Sequence, residues 1–216
     1  VEYGDFYEKA YTTQGVASQH NAFDDACRYF DAWMKKKDEF DTWVIDSGTA
    51  LTTVARNKSV ILLNGGIQGI KSGTQSQALS TGLVYMKKQD YGAERSLVEQ
   101  FIRMVRDSGK HVVVICHTGN ERDETSGQIT STHPLLTGAS RQVVPSMFDE
   151  VWKLNIEPGA KARRVLQTHS TPVLKTKTRL GIPDGTEWSY PAIIAALNNM
   201  AQAQKAHKPT EQLTLL

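Results

Sequence analysis

The sequence predicts an α/β fold: a mostly parallel sheet flanked by helices, with antiparallel strands toward the C-terminus. Three observations carry this. Two short apolar runs, Trp43-Val44-Ile45 and Val112–Ile115, end in polar residues, as buried strands do. Each follows a segment with helical apolar spacing, so helix and strand alternate. Near the C-terminus, VWKLNIE and RRVLQTH flank Pro158-Gly159, the pattern of two strands joined by a turn.

Residues 21–38 place Phe23, Ala26, Cys27, Phe30, Trp33 and Met34 on one helical face, with Asn21 as a candidate N-cap. TWVID follows as a strand that opens into Ser47-Gly48. Residues 93–107 form a second amphipathic helix through Leu97, Val98, Phe101, Ile102 and Val105, and Ser108-Gly109 stops it. HVVVICH is the next strand. Residues 118–141 are polar and rich in glycine, serine and threonine, which predicts a long loop. PVLKTKTRLG is expected to be a short strand, with Lys177 and Arg179 on one side of it. A last helix covers 190–203. The expected organisation is one core over 1–203 and a flexible tail over 204–216.

The bulk numbers exclude several classes. The chain has 216 residues, 39% hydrophobic and 22% charged, as expected of a globular protein. A net charge of +2 does not by itself imply nucleic acid. No apolar run is long enough to span a membrane. The acidic, aromatic start VEYGDFYEKAY is not a signal peptide. Cys27 and Cys116 make neither a disulfide framework nor a CxxC metal knuckle, so a reducing cytoplasm is the expected location.

VILLNGGIQGIKSG, at 60–73, has the ingredients of a phosphate loop. A Walker A loop requires G-x-x-x-x-G-K-[ST], with lysine directly after the last glycine. Here Ile70 separates Gly69 from Lys71, which turns the lysine away from a phosphate. The stretch also follows the strand that ends in aspartate, where a phosphate loop should precede it. It is expected to be a glycine-rich connection. TWVIDS fits better as a Walker B strand, with Asp46 at its carboxyl end to hold Mg2+ and Ser47 beside it. A strand-terminal aspartate also serves simply to cap the next element.

DTWVIDSGTAL, QDYGAERSLVEQFIRMVRDSGKHVVVICHT, PLLTGASRQVVPSMFDEVWKL and LKTKTRLGIPDG follow in an order that resembles a phage AAA-type, RecA-like P-loop ATPase family. Its members are related to single-strand annealing recombination ATPases. The resemblance spans about residues 20–200. It implies ATP and Mg2+ as cofactors, single-stranded DNA as partner, and a homo-oligomeric ring or filament. Asp46 and Ser47 would bind Mg-ATP, and His117 would sense the γ-phosphate. Lys177 and Arg179 would reach a neighbour's phosphate, as arginine fingers do. Arg122 and Arg141 would contact DNA. Each has a plainer rival: a strand-end histidine satisfied by a carbonyl, or a charged edge strand that blocks aggregation.

No G-x-x-x-x-G-K precedes Asp46. The chain opens at Val1, not methionine, so the true Walker A segment is expected upstream, which would make the protein an ATPase. The alternative is a non-hydrolysing DNA-binding accessory protein on a RecA-derived scaffold, recruited by a sliding clamp. Gln212, Leu213, Leu215 and Leu216 resemble a bacterial sliding-clamp-binding peptide, which would dock as an extended tail.

Overall fold

The computed structural model describes residues 21–63, 90–158 and 162–206. The Gly65–Ser72 stretch, the turn residue Gly159 and the Gln212–Leu216 peptide lie outside the described residues. These residues divide into two compact units. The first holds the described chain up to Gly119 together with Pro134–Met147. The second holds Asn120–His133 and the described chain from Phe148 onward.

The first unit begins with α1 (Asn21–Met34) and β1 (Thr42–Asp46), followed by α2 (Gly48–Leu63) and α3 (Asp90–Arg106). Then come β2 (His111–Ile115) and the short α4 (Ser140–Ser146). β1 and β2 pair in parallel, with Val44 opposite Val113 and Asp46 opposite Ile115. The alternation of the sequence is therefore realised as an α/β arrangement, with two strands in the parallel sheet. α1 and α3 bury the faces that their spacing predicts, through Phe23, Ala26, Phe30, Val98, Phe101, Ile102 and Val105. Phe23 and Phe30 both meet the Phe101 ring, at 5.9 and 6.5 Å between centroids. Trp43 of β1 packs on Phe30 and Phe40, at 5.3 and 4.7 Å.

α2 is a helix that the apolar pattern did not reveal. Leu51, Val54, Ala55 and Val60 are buried on it, but so are Thr52 and Ser59. These two hydroxyls bond back to the carbonyls of Thr49 and Arg56, at 2.7 and 2.8 Å. Small polar residues that satisfy themselves this way can be buried, and they blur the apolar period. Val60–Leu63 is thus the end of a helix, and not the start of a loop.

In the second unit, β3 (Thr118–Arg122) and β4 (Ile129–Pro134) form a two-stranded sheet; Thr118, Gly119 and Pro134 at its ends group with the first unit. The long loop expected over 118–141 is therefore incorrect: it is two strands followed by α4. Its polarity misled because every residue from Asn120 to Thr130 is exposed. The turn is built on Asp123, whose carboxylate accepts from the Thr125 and Ser126 amides at 3.1 and 2.7 Å. Those donors lower its pKa.

The expected antiparallel pair is present as β5 (Lys153–Glu157) and β6 (Arg163–Gln167), with Ile156 opposite Arg164. The free edge of β6 takes residues 186–188: the Leu166 amide donates to the Thr186 carbonyl and the Trp188 amide to Arg164, each at 2.8 Å. α5 (Tyr190–Ala206) is the last described element and extends three residues past the predicted helix end.

The expected strand over 172–181 does not form. Only single bridges occur there, from Leu174 to Thr132 and from Lys177 to Val151. Side chains take the remaining backbone donors instead. Thr178 Oγ1 accepts from the Gly181 and Ile182 amides, at 2.9 and 3.2 Å.

Asp184 ties β6 to the following segment. Its Oδ1 accepts from the Thr168 and His169 amides at 2.6 and 3.0 Å. The buried Thr168 hydroxyl donates to the Ile182 carbonyl at 2.5 Å. The two amides hold the Asp184 carboxyl at a pKa of about 2. A folded-state pKa below the unfolded value near ~4 means that the stabilisation is present above that value. It is lost as pH falls toward 2. Asp184→Asn should therefore lower the neutral-pH unfolding midpoint and flatten the acid limb of a pH series in urea. An acid limb identical to that of the wild type would refute this role.

Candidate functional site

The carboxyl ends of β1 and β2 bring together Asp46, Ser47 and His117. Asp46 is the last residue of β1, and its side chain is exposed. It shares a face of the sheet with Val44, Val113 and Ile115, because residues two apart on a strand, and residues opposite one another, point the same way. Among the described residues nothing covers that face: Val44 is 58% exposed and Ile115 44%. The opposite face, with Trp43, Ile45, Val112 and Val114, is half-buried.

The Asp46–Ser47 peptide bond is cis. Ser47 caps α2: its Oγ accepts from the Ala50 amide at 3.1 Å, and its carbonyl accepts from Leu51 at 3.0 Å. Cap and Asp46 thus occupy consecutive positions. His117 lies just beyond β2 with its ring exposed. Its amide donates to Thr49 Oγ1 at 3.1 Å, and its carbonyl accepts from the Leu135 amide at 2.7 Å.

Gly48 makes this junction possible. A Cβ there would stand 2.8 Å from both Cys116 Sγ and Val114 Cγ1. Burial raises the Cys116 thiol to a pKa of about 11, so it remains protonated and acts as a small apolar group. The sequence signal missed here was the Ser-Gly-Thr run: a cap, a close contact and a tether in consecutive positions.

A second polar cluster in this unit joins α2, α3 and the segment before α4. Glu94 on α3 is fully buried, and Arg56 Nε stands 3.6 Å from its carboxylate. Arg56 also donates to Thr137 Oγ1 at 3.0 Å. Burial raises the Glu94 pKa, while Thr137 and Arg56 oppose the shift. Arg141 is half-buried on α4.

Lys177 and Arg179 belong to the second unit and are held by four consecutive residues. Lys177 Nζ donates to the Phe148 carbonyl at 2.5 Å, and its backbone bonds both ways with Val151, at 2.7 and 2.9 Å. The Arg179 guanidinium meets the Asp149 carboxylate at 2.5 Å. Glu150 Oε1 accepts from the Arg179 and Leu180 amides at 2.6 and 2.7 Å, and its Oε2 accepts from Trp152 Nε1 at 2.8 Å. The shared direction expected from a strand therefore gives way to a clamped turn. Arg122 donates to the Gly127 carbonyl at 2.9 Å and stands among Glu121, Asp123 and Glu124.

Residues 7–180 match the sequence model of a family described as an AAA domain. The chain belongs to the AAA domain family. No curated protein and no solved structure gives a match. AAA domains are nucleotide-binding P-loop ATPases that generally use ATP with Mg2+. The geometry of this AAA domain fits that ion in one respect. Mg2+ keeps several waters and takes one or two carboxylates besides phosphate oxygens, and Asp46 offers a single exposed carboxylate at a strand end. Among the described residues no group of three or more His, Cys, Asp or Glu could hold a metal on its own. Among them, too, no helix is long and apolar enough to cross a membrane.

Gly48→Ala should cost about 1–3 kcal/mol of stability through overpacking. Adding Cys116→Ala should return part of it, because Sγ is one of the two atoms struck. Urea unfolding of the single and double variants checks this. A double variant no more stable than Gly48→Ala would show that the contact is not the cause.

Proposed function

We propose that this AAA domain binds Mg-ATP at the carboxyl end of β1 and couples it to DNA. Its setting would be recombination, repair or replication, in the manner of the phage RecA-like ATPases that the sequence resembles. The observation that carries the reading is the placement of Asp46. It ends a strand of a parallel pair, where open α/β sheets bind ligands. His117 lies just beyond the paired strand, and its amide donates to the hydroxyl of Thr49, three residues after Asp46. Bound Mg2+ would offset phosphate charge.

In this reading Asp46 holds the ion, and Ser47 keeps the loop after β1 fixed by capping α2. Through the hydrogen bond its backbone amide donates to Thr49, His117 would link any change at the phosphates to the backbone that leads into β3. Lys177 and Arg179 act on a neighbouring subunit's phosphate in a ring or filament. They leave the Phe148–Glu150 clamp to do so. Arg141 and Arg122 are the sequence-derived DNA contacts. Three acidic neighbours in the β3–β4 turn weaken the case for Arg122. Gln212, Leu213, Leu215 and Leu216 would recruit the protein to a sliding clamp in the cytoplasm.

Titration calorimetry with ATP tests the reading. The wild type should bind in a Mg2+-dependent manner. Asp46→Asn should weaken the Mg2+-dependent part by at least about tenfold, while a chelator abolishes the difference between the two. A wild type that binds DNA but no nucleotide would favour the accessory, non-hydrolysing reading.

A further inference from the structure

One face of the sheet in the second unit is exposed and aromatic toward its Ile156–Arg164 end, while Leu166 on the same face is buried and Glu150 accepts from the Trp152 indole. β5 and β6 pair antiparallel, and residues 186–188 lie along the free edge of β6 through a single bridge at Glu187. Val165 bridges Glu187, which places Trp188 opposite Arg164 on β6. Ile156 is opposite Arg164 on the other side. Directly opposed residues share a face, so Ile156, Arg164 and Trp188 form one row across the two strands and the segment on their edge. Leu154 continues that face along β5, and the half-buried Trp152 stands just before the strand. Ile156 is 67% exposed, Trp188 45% and Leu154 45%. Trp152 holds the Trp188 ring edge-on, at 6.4 Å between centroids. Tyr190, two residues further on, is 78% exposed. The acidic side chains of these strands, Glu157 and Glu187, fall on the opposite face, where Glu157 stands opposite Arg163.

Charge selects the occupant. Arg164 supplies the positive charge of this row; residues 161–179 around it contain six lysines and arginines and no acidic residue, although Arg163 falls on the opposite face and Lys177 and Arg179 are held by Phe148 and Asp149. An exposed indole beside a guanidinium, with an exposed phenol two residues on, suits an unpaired base and its phosphate. Stacking needs only a π-face, and the cation meets the backbone. A base buried in a duplex presents no such face.

We propose that this face binds single-stranded nucleic acid, with bases stacked on Trp188 and Tyr190 and the backbone held by Arg164. The proposal rests on the reading that the protein acts on DNA, and it moves the contact surface from the β3–β4 turn to the β5–β6 sheet.

Fluorescence anisotropy of a labelled single-stranded oligothymidylate, titrated with the full chain, tests it. Trp188→Ala and Tyr190→Ala should each weaken binding about tenfold or more. Trp188→Phe should retain most of it. Arg164→Gln should flatten the salt dependence, and a duplex of equal length should compete poorly. Tyr190, the most exposed ring, keeps the test valid should Trp188→Ala fail to fold. Wild-type binding that survives both alanine variants overturns this site and leaves the DNA reading standing. A wild type that binds no oligonucleotide sinks both. A change in mass by light scattering in the Trp188 variant, with DNA binding intact, would make the face a contact between copies and overturn the proposal.

Discussion

The first unit depends on how closely α2 approaches the end of β2. That approach needs a residue without a side chain, and Gly48 supplies it against Cys116 and Val114. Once the helix is seated, Ser47 caps it and Thr49 reaches the amide of His117. Asp46 is then fixed at the strand end because the residue after it is committed to the cap. Every feature of the candidate nucleotide site follows from this junction. A bulkier residue at position 48 would lift the helix and part His117 from the loop after β1.

The second unit is held by a different device, carboxylates set against backbone amides. Asp184 gathers Thr168 and His169, and Glu150 gathers Arg179, Leu180 and Trp152. Charge-assisted bonds of this kind contribute about 1.5–3 kcal/mol each where they are sheltered, and Glu150 is half-buried. The Arg179–Asp149 pair is about two-thirds exposed on both sides, and such pairs contribute about 0–1 kcal/mol. The turn is therefore held firmly while the guanidinium at its tip is held loosely. That division is what the role proposed for Arg179 at a neighbouring subunit's phosphate would require.

The sequence made legible the elements whose burial is carried by large apolar side chains. Trp43, Phe30, Phe101 and Ile102 mark β1, α1 and α3 because each stands on a face that must leave water. β5 and β6 were legible through their turn and their flanking runs. α2 was not, because Thr52 and Ser59 do the work of apolar residues by bonding to their own helix. The segment around Lys177 misled in the opposite sense. Its alternation is that of a strand, but Thr178 and Glu150 take the amides that a strand would offer to a neighbour. At the site, Asp46 and His117 could be singled out as strand ends. Gly48 and Glu150 could not, because their roles are defined by what approaches them across the fold.

The two sheet faces exposed among the described residues differ in chemistry, and the difference limits what each can meet. The β1–β2 face presents Val44, Val113 and Ile115, aliphatic and without a ring. A parallel sheet normally has both faces covered, and an aliphatic surface of this kind is satisfied by another apolar surface. It offers a base nothing to stack on. The β5–β6 face mixes aliphatic residues with an indole and a guanidinium. An apolar cover there would bury Arg164 without a partner, because the acids of those strands lie on the other side. Burying an unpaired charge is strongly unfavourable. A ligand with both a flat apolar surface and a negative charge satisfies the whole row, and a single-stranded nucleotide combines the two.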